Sequence, residues 1–477
     1  MKKNNAITSR SEDMSKWYSE ICVKAELMSY SKVKGFIVYR PYGYAIWEQI
    51  KNWLDNEFKK TGHQNVYMPS LIPESLLQKE KDHISGFAPE CAVVTQGGGE
   101  ELSEKLYVRP TSETLFCDHF KDILSSYRDL PIKYNQWCSV VRWEKTTRPF
   151  LRGSEFLWQE GHTLHRTSEE AREEALKMLE IYNRLGKEVL AIPFVTGKKT
   201  DKEKFAGAVE TYTIEALMPD GQALQSGTTH YFGDGFARHY DISYLDSDNQ
   251  LKTPYQTSWG VSTRLIGSII MEHGDDNGLV LPPFVAPIQV VIIPIRANDS
   301  PEVMKKAHSI KEKLEEEGLR VLLDDSDKTP GWKYAQYEMK GVPLRIDVGP
   351  RDLEKNQVMV VRRFDEKKDF WDLDDKFYAR VKDEMEVITK GMYNKAKEYV
   401  NSHIVEVHTY EELEDCILNH KGYAKMMWSG DVDTEDIVKQ KLNATSRCIP
   451  FEQVPFGDED PVTHKKAKYV VYFARSY

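Results

Sequence analysis

The chain has 477 residues, 40% hydrophobic and 29% charged, which fits a soluble globular protein of two to four domains at roughly 150 residues each. A formal net charge of −10 argues against a general nucleic-acid coat but leaves room for one local basic surface. No window offers the ~18 apolar residues of a membrane helix. The run "MKKNNAITSRSEDMSKW" has no apolar core of a signal peptide, and the six cysteines form no close pairs, so a reducing, cytoplasmic setting is expected.

In chain order, "PYGYAIWEQIKNWLDNEFKKTG" repeats Ile46, Ile50, Trp53, Leu54, Glu57 and Phe58 at mostly helical spacing and stops at Gly62. "NVYMPSLIP" reads as a short strand broken by Pro69 and Pro73. "YVRPTSET", if it stays extended, puts Thr111 and Glu113 on one side. "CSVVRWEKTTRPFLRGSEFLWQEGHT", from Cys138, reads as two strands joined by a loop that carries Lys145, Arg148 and Arg152. Strand side chains alternate, so Phe156, Trp158, Glu160 and His162 share one face, as do Val140, Arg142 and Glu144. Paired as a hairpin, the two runs give one surface an Arg, two Glu, a His and two aromatics. A merely solvated face rarely needs Phe and Trp between its charges. The fork of an Arg suits a phosphate or carboxylate, Phe156 suits stacking on a base, and the loop cations suit a polyphosphate.

"TSEEAREEALKMLEIYNRLGKEVLAIP" is a helix capped by Thr167 or Ser168. "ALQSGTTHYFG" supplies Gln225, Thr228 and His230 beside Gly227 and Gly233, glycines that permit close approach of a ligand. Taken alone, its Ser-Gly-Thr-Thr is usually just a turn. "TSWGVSTRLIGSIIMEHGDD" places Arg264 at the entrance of an apolar helix of Leu265, Ile266, Ile269 and Ile270. Beyond a linker with Pro282, Pro283 and Pro287 the order becomes βαβ-like, and Ser300, Pro301 and Gly318 bound its first helix. From about Glu384 a long helix leads into a third piece, which ends in the strand "KYVVYFARSY". The chain contains neither GxGxxG nor a Walker lysine loop. "EGHTLH" offers Glu160, His162 and His165 as metal ligands, but strand alternation turns His165 away from His162.

Together these pieces resemble a class II aminoacyl-tRNA synthetase of the prolyl type, in its archaeal/eukaryotic-like form. The helix before "NVYMPSLIP", with Pro69, looks like motif 1. "VVRWE" through "RGSEFLWQEGHT" looks like motif 2, and "SWGVSTRLIG" like motif 3. The resemblance implies an α+β catalytic domain on an antiparallel sheet over residues 1–284, an α/β anticodon-binding domain over 285–390 and a small α+β C-terminal domain over 391–477. It implies activation of L-proline with ATP and Mg2+, transfer to tRNA(Pro), and a homodimer.

By the same resemblance, Arg142 and Arg264 are the catalytic cations. Arg142 holds the α-phosphate and the substrate carboxylate. Glu144 contacts the adenine amino group, Phe156 and Arg264 sandwich the base, and Arg152, Gln225, Thr228 and Ser262 contact ATP, with Gln225 near magnesium. Thr111 and Glu113 bind the imino group, while Trp158, His162, His230 and Ser258 line the proline pocket. Two departures stand out. The stretch from Thr163 to Leu224 leaves no room for an inserted editing domain. "WSGDVDTEDI" and "DEDPVTHKKAKY", where relatives often carry four zinc-binding cysteines, contain none, so no zinc is expected. The "TSE" run argues against a threonyl enzyme, and intact Arg142, Glu144, Phe156 and Arg264 against a non-catalytic paralogue.

Overall fold

A computed structural model describes residues 7–79 and 91–477. Helices α1 (Met14–Lys24) and α2 (Pro41–Lys60) open the chain. Pro41 starts α2, where a missing N–H costs nothing. Its spacing buries Ile46, Ile50, Leu54 and Phe58 on one face. The expected strand "NVYMPSLIP" is only partly extended: its prolines confine pairing to β1 (Gln64–Asn65) and β2 (Leu71–Pro73). β2 joins β3 (Val93–Gly97) and β4 (Glu100–Val108) in a three-stranded sheet of order β2-β4-β3.

The centre of the first unit is antiparallel. It is built from β5 (Ile132–Val141), β6 (Glu155–His165), β7 (Val195–Lys198), β8 (Glu210–Leu217), β9 (Ala223–Gly233) and β10 (Tyr255–Ser262). Helix α3 (Glu113–Ile123) lies beside it. Helix α4 (Ser168–Leu185) packs on β9 and β10, its first turn capped by the Thr167 hydroxyl, and α5 (Arg264–His273) follows β10. The "TSET" run is therefore not extended; it turns into α3 at Glu113. The "SGTTHYFG" run is not a turn; it lies inside β9.

The second unit has β11 (Val290–Pro294), α6 (Pro301–Glu316), β12 (Val321–Leu323), α7 (Pro330–Met339), β13 (Leu344–Val348) and β14 (Gln357–Arg362). A further strand, β15 (Lys368–Asp372), completes the order β12-β11-β13-β14-β15. β11 runs parallel to both β12 and β13, as βαβ crossovers require. Helix α8 (Phe377–Ser402) is continuous across residue 390, where the sequence reading places a domain boundary. It buries Phe377, Val381, Met385, Ile388, Met392, Ala396 and Val400 at three- and four-residue spacing.

The third unit contains β16 (Ile404–Glu406), α9 (Tyr410–Leu418), β17 (Tyr423–Trp428), α10 (Val432–Leu442), β18 (Thr445–Pro450) and β19 (Tyr469–Ala474). Its sheet does not stand alone. Ile449 and Pro450 of β18 pair with Lys198 and Gly197 of β7, so the described strands run continuously as β16-β17-β19-β18-β7-β8-β9-β10-β6-β5-β1. A Cβ on Gly197 would lie 2.4 Å from the Ile449 carbonyl oxygen, so only glycine permits this approach.

Candidate active site

The hairpin foreseen in the sequence forms. Val140 pairs with Phe156, Cys138 with Trp158, Gln136 with Glu160 and Tyr134 with His162. The Arg142 guanidinium, just past β5, lies 5.4 Å from the Phe156 ring centre and 5.6 Å from that of Trp158, and its Nε donates to the Pro110 carbonyl at 3.0 Å. β10 lies against β6 with Ser258 opposite His162 and Ser262 opposite Trp158, and against β9 with Ser258 opposite His230. Alternation on these adjacent strands therefore puts Trp158, His162, Ser258, Ser262 and His230 on one floor.

Thr111 and Glu113 reach this floor from the start of α3. The Thr111 hydroxyl donates to the Glu113 carboxylate, and Ser258 Oγ lies 3.4 Å from its other oxygen. A carboxylate in the first helical turn is favoured by the helix dipole. The strand parity expected for this pair is replaced by a helix start, yet both side chains still meet.

A cavity of about 280 Å³ is lined by Thr111, Glu113, Arg142, Phe156, Trp158, His162, Gln225, Thr228, His230, Ser258, Ser262 and Arg264. Arg152 lines a second, larger cavity of about 680 Å³ with Arg148 and Tyr477. Phe156 and Arg264 line both cavities, so they stand at the junction. Glu144 lines neither, although its charge is felt at Arg264. Sequence reasoning missed Glu203, Phe205 and Thr211 on the smaller cavity. The available signal was the alternating polar face Thr211, Thr213, Glu215 on β8.

The electrostatics have two parts. Arg264 Nε donates to the Leu151 carbonyl at 3.0 Å and an Nη to the Gln225 carbonyl at 3.1 Å. Burial, and then the cationic Arg142 and Arg152 nearby, push its guanidinium down to about 10. A group held this way gains when an anion arrives. On the same floor, Glu160, which also lines the smaller cavity, accepts from Gln136 Nε2 at 2.6 Å and from His162 Nε2 at 2.8 Å. Burial alone would raise this carboxyl, but the hydrogen bond and charge of His162, then Ser112 and Gln136, hold it below the usual range. Glu160 thereby fixes the His162 ring, which also stacks on Phe116 at 4.0 Å. Burial and then Glu160 push the Cys138 thiol up to about 12, so it stays protonated and is no nucleophile.

Glycine at 227 serves the sheet. A Cβ there would meet Val261 Cγ1 at 2.6 Å, and the glycine itself lines the smaller cavity.

The donor set suits magnesium only in part. Gln225 brings a neutral side-chain oxygen to a cavity that Glu113, Glu160 and Glu203 share with Arg142 and Arg264. A hard dication keeps most of its oxygen ligands from water and phosphate in such sites, so Gln225 fits as one protein ligand to an ion that enters with the triphosphate. Among the described residues no group of three or more His, Cys, Asp or Glu could hold a metal ion.

Three family models match the chain in succession. The class II core domain of tRNA synthetases (G, H, P, S and T) covers residues 94–273. An anticodon binding domain covers 289–380, and the C-terminal domain of prolyl-tRNA synthetase covers 410–477. The antiparallel sheet, followed by these two appended domains, is the architecture of a class II aminoacyl-tRNA synthetase. The proline–tRNA ligase of Ruminiclostridium cellulolyticum is 56% identical over 471 residues, 99% of this chain and 98% of that protein. Those of Lachnoclostridium phytofermentans and Clostridium novyi are 55% and 54% identical over 472 residues. The chain belongs to the proline–tRNA ligase family. Its match over nearly the whole of these relatives fits the lack of an inserted editing domain.

Proposed function

We infer that this chain activates L-proline with ATP to prolyl-adenylate, releasing pyrophosphate, and transfers proline to the 3′ end of tRNA(Pro). The observation that carries the reading is the convergence of Glu113, tied to Thr111 and Ser258, with two cations, Arg142 and Arg264, on a single cavity. Proline enters as a secondary ammonium. Glu113 accepts from it, with Thr111 and Ser258 as oxygen partners, and Trp158, His162 and His230 form the walls. A charged hydrogen bond of this kind contributes about 1.5–3 kcal/mol. Arg142 holds the proline carboxylate beside the α-phosphate, and Phe156 and Arg264 hold adenine at the junction of the two cavities. One carboxylate oxygen attacks the α-phosphorus and the bond to pyrophosphate breaks. The cations offset repulsion between the two anions and stabilise the charge that develops at phosphorus. Magnesium, held in part by Gln225, would supply further charge neutralisation on the triphosphate. No protein nucleophile is needed, consistent with the protonated Cys138.

Other features support the finer reading. The second unit has a cavity of about 170 Å³ lined by Tyr334, Glu338, Arg345, Arg362 and Lys368. Cations and an aromatic beside an acceptor suit unstacked RNA bases. The short link between β6 and β9 favours the archaeal/eukaryotic-like type. Tyr67 and Leu71, 70% and 37% exposed on the segment likened to motif 1, supply apolar surface for a homodimer. In the described residues no helix is long and apolar enough to cross a membrane, and cytoplasmic residence follows from the family. In this reading the third unit holds together without zinc, its two cysteine-free stretches meeting at a buried carboxylate, Asp460. Proline-dependent exchange of pyrophosphate into ATP tests the activity. Exchange driven by threonine instead, or none with any amino acid, refutes it.

A further inference from the structure

The segment between β7 and β8 carries Glu203 and Phe205 to the smaller cavity. Phe205 lies 4.6 Å from the His230 ring, and its backbone N–H donates to Thr211 Oγ1, which sits 2.9 Å from His230 Nδ1. This segment starts from Thr200: the backbone N–H groups of Glu203 and Lys204 both donate to the Thr200 carbonyl, at 3.1 and 2.9 Å. The third unit holds that starting point. Thr200 Oγ1 donates to Glu435 Oε1 at 2.7 Å, and Ser446 Oγ donates to the same oxygen at 2.6 Å. Thr200, Glu435 and Ser446 are 2%, 4% and 1% exposed. On either side, Lys202 pairs with Asp436, and Lys199 with Glu215, whose other oxygen accepts from Arg447 at 3.0 Å. Glu435, Asp436, Ser446 and Arg447 all belong to α10 and β18, remote in sequence from the pocket.

We propose that Glu435 of the third unit is a positioning residue for the amino-acid pocket: it fixes Thr200 and so sets the turn that presents Glu203 and Phe205 to the substrate. The pocket is then completed by a domain that does not touch the substrate. This also gives the shared sheet a role, because the β18–β7 pairing brings Glu435 and Arg447 to the base of the segment. The consequence for catalysis rests on the function proposed above; the consequence for the segment does not.

The test uses the full chain with Glu435→Ala, Glu435→Gln and Thr200→Val. In pyrophosphate exchange, Glu435→Ala and Thr200→Val are expected to raise the KM for proline about tenfold while the KM for ATP stays within about twofold. Glu435→Gln keeps an oxygen for both hydroxyls and stays near the parent. Hydrogen exchange is read in parallel: amides 201–207 exchange about tenfold faster in Glu435→Ala and unchanged in Glu435→Gln. A lower melting temperature with unaltered proline KM and unaltered exchange at 201–207 overturns the proposal. If the parent chain gives no proline-dependent exchange, the proposed function fails, and the amide measurement alone decides the positioning role. Thr200→Val, nearly isosteric, decides it should Glu435→Ala fail to fold.

Discussion

Replacing Asp460 by alanine should loosen the third unit selectively. Its carboxylate is wholly buried. One oxygen accepts from the Ser429 N–H at 3.1 Å, the Ser429 hydroxyl at 2.9 Å and the Thr434 hydroxyl at 2.6 Å; the other accepts from the Val462 N–H at 2.9 Å. It ties the start of α10 to the loop before β19. A hydrogen bond to a charged group contributes about 1.5–3 kcal/mol, and each buried donor left without a partner costs about 1–3 kcal/mol. Ser429 and Thr434, 5% and 0% exposed, would be left so. Relief of the carboxylate's own burial offsets part of this, leaving a loss of about 3 kcal/mol. Native-state hydrogen exchange should then show amides of β17 and α10 opening about a hundredfold more often, with those of α2 unchanged. Chelator should leave the parent pattern untouched. Unchanged protection in Asp460→Ala, or one zinc per chain whose removal loosens the same amides, would refute the argument that hydrogen bonds hold this junction without metal.

Three further outcomes are expected. Glu113→Gln or Arg142→Ala should lower proline-dependent pyrophosphate exchange by about a hundredfold or more with unchanged circular dichroism, since each removes a charged contact to substrate; near-normal exchange would show the pocket to be misassigned. Light scattering at micromolar concentration should give a dimer mass, and Tyr67→Asp with Leu71→Asp should halve it. Urea unfolding should weaken as pH falls from about 6.5 to about 4: His165 is buried and pushed down to about 4 in the fold, chiefly by burial, so the unfolded chain binds the proton first. The loss at pH 4 is at most about 3 kcal/mol from this residue, and His165→Asn should flatten the slope in that window.

Local signals made much of this legible. The α2 and α6 periodicities, Thr167 before α4 and Pro301 after Ser300 each state a helix within a few residues. The Phe156–His162 alternation states a face. The start of α3 was legible too, since "TSET" offers a hydroxyl residue at the cap position and an acid in the first turn, but the preceding strand pattern suggested continuation. The β18–β7 pairing was not legible. Two short stretches some 250 residues apart in the sequence join there, and neither carries a local mark of its partner. Glu203 and Phe205 reach the cavity from a segment whose base, Thr200, bonds to Glu435 of the third unit, again a contact with no local mark in the sequence.

The buried charges divide by use. Glu215 is neutralised by Lys199 and Arg447, and Glu160 is met by His162 and Gln136. Such charges are expensive to bury unless matched, and in both places the match lies within the fold. Arg264 is different. The acceptors that orient it are the Leu151 and Gln225 carbonyls, which fix the guanidinium without cancelling its charge, and its close charged neighbours include two more cations, Arg142 and Arg152. The fold therefore holds that field in place at some loss of its own stability. An anion that spans the two cavities, as the triphosphate of ATP would in the proposed reaction, removes the repulsion on binding. Groups arranged beforehand need no reorganisation as negative charge builds on phosphorus. Carbonyl anchoring of Arg264 and the charged or polar matching of Glu160 and Glu215 are two halves of one arrangement.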